Sequence, residues 1–153
     1  MSNRAFIEEN AASLAELTQL VSGLDDRAYQ TPTGPGWTLA TSLCHLAFWD
    51  QRILYLLREW ERNGTIEPAT LGGQSLQATN HAVNAIAQVV PAAAAGKLVL
   101  ESAAAVDTYL TQISDEFIVR LAAAGLERYL RRALHRREHL SKFKEVLAPQ
   151  SRA

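Results

Sequence analysis

The sequence predicts an all-α protein, an antiparallel four-helix bundle, on three observations. Apolar residues recur at intervals of three and four over long stretches, which is the period of an amphipathic helix. Runs of alternating β-branched residues between turn signals, which would indicate strands, are nearly absent. Glycines and prolines fall between the periodic stretches, so that four helices joined by modest loops are expected. The length of 153 residues fits one domain, residues 1–153.

The first two predicted helices lie on either side of a stiff loop. Helical spacing of apolar residues predicts the first helix from about residue 3 to 22, with Gly23 as its stop. The segment 31–36 carries two prolines and two glycines and is expected to be a loop. Thr38 is a good N-cap for the second helix, which ends at Asn63 and Gly64.

The second half of the chain predicts two longer helical regions. The third runs from about Gln74 to Ile113 and contains Pro91, which should kink or break it because proline lacks the N–H and clashes with the preceding turn. The fourth is predicted as one helix from about Leu121 to Leu147, closed by Pro149.

The overall composition excludes several classes of partner and location. The formal net charge of -1 gives no bulk attraction to nucleic acid or to anionic lipid. No apolar stretch approaches the ~18–20 residues needed to span a bilayer, and the N-terminus lacks the apolar core of a secretory signal. The single cysteine, Cys44, permits no intramolecular disulfide. We therefore expect a cytoplasmic protein with neither nucleic-acid nor membrane partners.

Three of the four histidines are candidate ligands for one divalent metal ion. His135 and His139 are four residues apart on the fourth predicted helix and so project from one face. A third ligand from a neighbouring helix would complete an open site of the catalytic type, with water in the remaining positions. Spacing alone leaves His45, on the second helix, an outlier to this pair. A solvated pair on a charged helix face is the alternative. A helical wheel over the whole fourth helix places the histidine pair away from the main apolar stripe of that helix. The pair therefore either lines a pocket at the edge of the bundle or faces solvent.

The residues around these histidines resemble the DinB-like superfamily, which includes the helical domain of mycothiol-dependent maleylpyruvate isomerase. Segments 36–38 (GWT) and 43–50 (LCHLAFWD) are similar to the signature that opens the family's second helix. Segment 80–84 (NHAVN) resembles the start of its third helix, and 134–140 (LHRREHL) its closing helix. The resemblance implies a DinB-like four-helix bundle in which His45, His135 and His139 bind one ion, nickel or zinc above all. It also implies a homodimer.

The function that this resemblance implies is a metal-dependent enzyme acting on a small molecule. A low-molecular-weight thiol such as mycothiol or bacillithiol would serve an S-transferase, and a hydrolase is the other catalytic form. A non-catalytic stress-related or small-molecule-binding protein with a structural metal is the alternative. No catalytic residue is assigned.

Other polar and aromatic residues near the histidines are predicted with specific roles. Trp49 lies one turn from His45 and is expected either to pack the bundle or to form a wall of the substrate site. Arg132 and Arg136 are expected to hold an anionic substrate or cofactor. Alternatively, the basic residues of the fourth predicted helix form a solvated face that is balanced by glutamates. Asp50 falls near an apolar side, where an unpaired carboxylate would be costly, so a buried partner is expected for it among the arginines of the fourth helix. Cys44 is read as a buried apolar residue and His81 as a partly exposed one.

Overall fold

The computed structural model describes residues 4–149 of the chain. Its described part is mainly helical, with one short β-hairpin near the start. The helices are α1 (Ala5–Ser22), α2 (Asp26–Tyr29), α3 (Leu39–Asn63), α4 (Gly73–Ala87), α5 (Ala92–Gln112), α6 (Asp115–Ala123), α7 (Glu127–Leu130) and α8 (Arg132–Leu147), and the strands are β1 (Pro32–Gly34) and β2 (Trp37–Thr38). The all-α prediction is confirmed, and the hairpin occupies the segment that was expected to be a loop.

Helix α3 begins and ends at the residues that the sequence indicates. The Thr38 side chain accepts a hydrogen bond from the Thr41 backbone N–H at 3.3 Å, and the Thr41 hydroxyl accepts one from the Thr38 N–H at 3.0 Å. This capping box satisfies two of the N–H groups that a helix start leaves unpaired. Gly64 ends the helix with a φ of 70°, a conformation that glycine adopts without steric cost.

The two later helical regions are both divided. The third region breaks at Pro91, which is the N-cap of α5. A break was one of the two outcomes predicted for this proline, the other being a kink. The single fourth helix predicted over 121–147 is wrong, since the chain forms the end of α6, then α7 and α8. Gly125, with a φ of 72°, lies between α6 and α7. Arg131, with a φ of -94° and a ψ of 68°, separates α7 from α8.

The core lies where the long helices meet. Helix α3 packs on α5, α4 and α8, while α1 packs on α8 and α5. One apolar cluster surrounds Trp60, whose ring stacks on that of Tyr129 at 5.7 Å. A second cluster includes Leu43, Val99 and Phe143, which are completely buried. This second cluster packs α3, α5 and α8 together, and so holds in place the two helices that carry the histidines.

Across residues 4–149, no helix combines the length and the apolar character that a bilayer crossing would require.

Candidate metal centre

The first histidine is buried and has an unpaired nitrogen. His45 lies about two turns into α3, after the capping box that sets where the helix begins. It is 8% exposed, and its Nδ1 has no hydrogen-bond partner within the described part of the chain. A buried polar atom without a partner costs free energy, so such an atom in a native protein calls for a ligand that the protein part alone does not supply.

The second and third histidines meet the first from α8. His135 and His139 are separated by one helical turn, and their ring centroids are 4.9 Å apart. The His45 ring lies 5.4 Å from that of His135 and 4.9 Å from that of His139. Each ring offers one nitrogen such that all three nitrogens lie within 4.8 Å of one another. The two helices thus bring together three imidazoles that can hold one metal ion.

Burial keeps these imidazoles in the form that binds metal. It is the largest cause of a pKa of about 4 for His45 and of about 2 for His135, where the Arg132 charge lowers the pKa further. The pKa of His139 is also lowered by burial. Neutral imidazole is the metal-binding species, because protonation occupies the lone pair that the ion needs. At neutral pH the site therefore presents three neutral nitrogen donors.

Two cavities open on either side of the triad. The first, of about 430 Å³, we name the hairpin cavity, and its lining residues are Thr33, Gly34, Trp37, Ser42, His45, Asn80, Glu138, His139, Lys142 and Phe143. The second, of about 320 Å³, we name the arginine cavity, and it is lined by His45, Trp49, Arg52, Ile53, Thr70, Leu71, Leu76, Asn80, Arg128, Tyr129, Arg132 and His135. His45 borders both cavities, whereas His139 borders only the hairpin cavity and His135 only the arginine cavity.

A buried network of charges supports α8 behind the site. Arg132 donates from Nε to Asp50 at 2.8 Å, and Arg136 donates to the other oxygen of Asp50 at 3.2 Å and to Asp107 at 2.8 Å. The predicted buried arginine partner of Asp50 is thereby confirmed. The Asp107 and Asp50 carboxylates raise the pKa of Arg136, against the effect of burial. These bonds cross from α8 to α3 and α5, and so hold the helix that carries two of the histidines.

The predicted substrate-binding residues differ in their surroundings. Trp49 and Arg132 line the arginine cavity. A guanidinium nitrogen of Arg132 lies 3.5 Å from Nδ1 of His135, which places its charge at the edge of the triad. Arg136 is 1% exposed and lines neither cavity, and its hydrogen bonds all go to groups of the protein. Its contacts therefore supply no support for a role in substrate binding.

Two further polar residues of the site were not predicted as such. Asn80 lies on α4 and borders both cavities, and its Oδ1 accepts a hydrogen bond from Trp49 Nε1 at 3.2 Å. Because the indole N–H only donates, this bond sets the orientation of the Asn80 amide. Arg52, two residues after Asp50 on α3, lines the arginine cavity. The only sequence signal for Asn80 was its place in the family-like segment 80–84, and Arg52 carried none.

The remaining candidates lie outside the triad. His81 is exposed and borders neither of these cavities. Cys44 is 6% exposed, and burial raises the pKa of its thiol, which disfavours the nucleophilic thiolate. Both agree with the interpretation drawn from the sequence.

Comparison with known proteins bears on the family. The family model of the DinB superfamily matches residues 10–148, which include all three histidines and both helices that carry them. No curated protein and no solved structure gives a significant match to the chain. Since the family model spans nearly the whole sequence, this chain belongs to the DinB superfamily.

Proposed function

We propose that the chain binds one divalent metal ion through His45, His135 and His139 and is a metal-dependent enzyme acting on a small molecule. The observation that carries this is the buried Nδ1 of His45, which has no protein partner in the described residues and belongs to a group of three converging imidazoles. Burying the Nδ1 of His45 without a partner is costly unless an ion takes its lone pair, and the partly buried His135 and His139 lie beside it.

A bound ion would act as a Lewis acid, or would lower the pKa of a bound water or thiol. Within residues 4–149 three side chains form this ligand group, which leaves positions open to solvent or substrate. Both cavities border the triad, so a small molecule in either one would lie beside the open positions. Nickel and zinc are the ions that we propose, since both accept imidazole ligands.

The concrete form of the activity that we propose is an S-transferase that uses a low-molecular-weight thiol, with a hydrolase as the other form. The hairpin and arginine cavities support a reaction of two small molecules, since each borders a different face of the triad. The test is turnover of electrophiles in the presence of bacillithiol, mycothiol or glutathione, and of esters and amides in their absence. We expect turnover with one of these pairs, and its loss when the metal is chelated.

A non-catalytic protein with a structural metal is the second candidate. Its support is that Cys44, the only thiol of the chain, is buried and borders neither cavity, so no protein nucleophile of that kind lies beside the triad. Metal binding with no turnover in any of these assays is the result that this candidate predicts. Chelation-sensitive turnover would contradict it.

We further propose a cytoplasmic, single-domain protein whose four longest helices, α1, α3, α5 and α8, form an antiparallel bundle. Their mutual packing supports the bundle. We also propose a homodimer. The exposed apolar side chains of Ile86 and Val89 near the end of α4 support it, at 69% and 83% exposure. A monomer in size-exclusion chromatography at high protein concentration would contradict the dimer.

A further inference from the structure

The arginine cavity carries an unbalanced set of charged groups in its wall. Arg52, Arg128 and Arg132 line it, and no aspartate or glutamate is among the described residues that do so. The hairpin cavity is different, since one acid and one base, Glu138 and Lys142, both contribute to its wall. The two sides of the triad therefore offer different electrostatic surroundings, and only the arginine cavity favours an anion.

Of these three arginines, Arg52 is the one whose charge is not matched by a carboxylate. One of its guanidinium nitrogens donates to the backbone carbonyl of Ala69, and the guanidinium lies 5.4 Å from the centre of the Trp49 ring. No carboxylate within residues 4–149 forms an ion pair with it. The carbonyl and the ring hold the group in place but leave its charge uncompensated.

Arg132 is oriented by the protein but keeps donors for the cavity. Its Nε is committed to Asp50 at 2.8 Å, whereas one of its terminal nitrogens makes only the long 3.5 Å contact with His135. Arg128, by contrast, pairs at 3.5 Å with Glu138, and both side chains are more than 60% exposed. An exposed pair of that kind contributes little. Arg52 on α3 and Arg132 on α8 are thus the two held guanidinium groups of the cavity.

The rest of the cavity wall is largely apolar. Trp49, Ile53, Leu71, Leu76 and Tyr129 line it beside the arginines. A cavity with an apolar wall and few fixed polar groups is the usual form of a small-molecule site, in which the polar groups set orientation. Here those groups are cations with planar, forked donors that match an oxyanion.

We propose that the arginine cavity binds an apolar small molecule that bears one oxyanion group, a carboxylate or a phosphate. Arg52 and Arg132 hold the oxyanion, and the apolar body rests on Trp49 and its neighbours. The inference deepens the proposed function and rests on it for the statement that this molecule is a substrate, because the cavity borders His45 and His135. The binding itself depends on the arginines and the apolar wall and does not require the metal.

The test is isothermal titration calorimetry on the metal-free full-length protein, with phenylacetate, phenyl phosphate and the neutral phenylacetamide as probes. We expect at least one of the two anions to bind, and phenylacetamide to bind at least about tenfold more weakly than phenylacetate if that acid is the ligand. Comparison of the two anions distinguishes a carboxylate from a phosphate. The Arg52→Gln variant should weaken binding of the anion by about tenfold or more.

Arg58→Gln is the matched control for Arg52→Gln. Arg58 is also on α3 and also lies over an aromatic ring, that of Tyr109 at 5.6 Å, but it does not line the arginine cavity. This variant should leave the dissociation constant unchanged. The proposal is overturned if neither anion binds, if the neutral amide binds as tightly as the better-bound anion, or if the two variants behave alike.

Metal binding is measured separately, on the same protein after incubation with zinc or nickel and removal of the excess. A chain that binds no metal yet binds the anion through Arg52 would contradict the proposed function and leave the anion site standing. A chain that binds metal and no anion would contradict this inference alone.

Discussion

At the scale of single residues, the three histidines determine how the metal-free protein responds to acid. Burial lowers the pKa of His45 to about 4 and that of His135 to about 2, against about 6.5 in an unfolded chain. Below pH 6.5 the unfolded state therefore binds protons that the folded state does not, so the stability present above pH 6.5 is lost as the pH falls. The loss for His45 continues down to about pH 4.

We therefore predict that the free energy of unfolding of the metal-free protein falls between pH 7 and pH 5. The contribution should be on the order of 1–2 kcal/mol for each buried histidine. Urea unfolding at the two pH values measures it. His45→Gln removes one titrating group, so its loss between the two pH values should be smaller. An equal loss in the variant and the wild type would contradict the assignment to His45.

A second prediction at this scale concerns Asp50, which is 1% exposed and accepts hydrogen bonds from two buried arginines. Among the ion pairs of residues 4–149, removing its charge leaves Arg132 with no carboxylate partner and Arg136 with Asp107. We expect Asp50→Asn to lower the free energy of unfolding by about 3–5 kcal/mol, the usual cost of breaking a buried ion pair.

Glu59→Gln is the control for Asp50→Asn. Glu59 pairs with Arg62 at 2.6 Å on the surface of α3, where the arginine is 70% exposed. Exposed pairs contribute about 0–1 kcal/mol, so chemical denaturation should separate the two variants clearly. Equal effects would show that the buried network does not stabilise α8 against α3.

At the scale of helices, α5 contains a glycine that packing requires. Replacing glycine by alanine inside a helix normally stabilises it by about 1 kcal/mol. A methyl group on Gly96 would collide with the hydroxyl of Tyr29, which is itself buried, and would lie 3.1 Å from Val21. We predict instead that Gly96→Ala destabilises the protein by about 1–3 kcal/mol, as overpacking does.

Tyr29→Phe tests the cause of that effect, because it removes the hydroxyl that the new methyl would meet. In a thermal unfolding experiment the double variant should recover part of the stability that Gly96→Ala loses. A stabilised Gly96→Ala variant, or a double variant in which the two losses simply add, would contradict the steric explanation.

The helices also show which parts of the fold could be predicted from sequence. Local signals were sufficient for α3, since Thr38 caps its start and Gly64 adopts the left-handed conformation at its end. They were insufficient for the fourth predicted helix, because the interruption at Gly125 is one glycine within a continuous helical pattern. A lone glycine is tolerated inside a helix at a cost of about 1 kcal/mol, so the sequence pattern did not distinguish a break from a continuous helix.

The division of the predicted fourth helix also explains why its apolar pattern did not show whether the two histidines face a pocket or solvent. A helical wheel over 121–147 combines Leu126 and Leu130 with His135 and His139, although the two leucines precede α8. Within α8 the buried face runs through Arg136, Leu140 and Phe143, and the two histidines lie beside it. A buried arginine in a core position gives no apolar signal, so hydropathy could not show which face of this helix is inside.

The candidate site could be predicted only in part for a related reason. The spacing of His135 and His139 follows from helix geometry, but the position of His45 beside them depends on how α3 packs against α8. Only the resemblance of the surrounding segments to a known family linked the three. Asn80 and Arg52 reach the site through packing of α4 and α3, which no spacing rule along the chain describes.

At the scale of the whole molecule, the proposed metal ion would join helices that are far apart in sequence. His45 lies in the first third of the chain, and the other two ligands lie close to its end. A ligand that binds the folded state alone stabilises it, by about 2.7 kcal/mol at 100 times its dissociation constant. We predict that zinc or nickel raises the thermal unfolding temperature by roughly 5–10 °C.

The rise should be absent in His139→Ala and fully present in His81→Ala, since His81 is exposed and lies outside the triad. Differential scanning calorimetry with and without a chelator measures it. A rise of the same size in His139→Ala would place the stabilising ion elsewhere on the protein.

Metal content tests the central claim most directly. Protein purified without a histidine tag should contain close to one divalent ion per chain, as measured by elemental mass spectrometry. His45→Ala, which changes the ligand from α3 and leaves the α8 pair intact, should lose most of it, while His81→Ala should retain it. A wild-type protein without stoichiometric metal after incubation with nickel and zinc, or a His45→Ala variant with full metal content, would contradict the three-histidine centre.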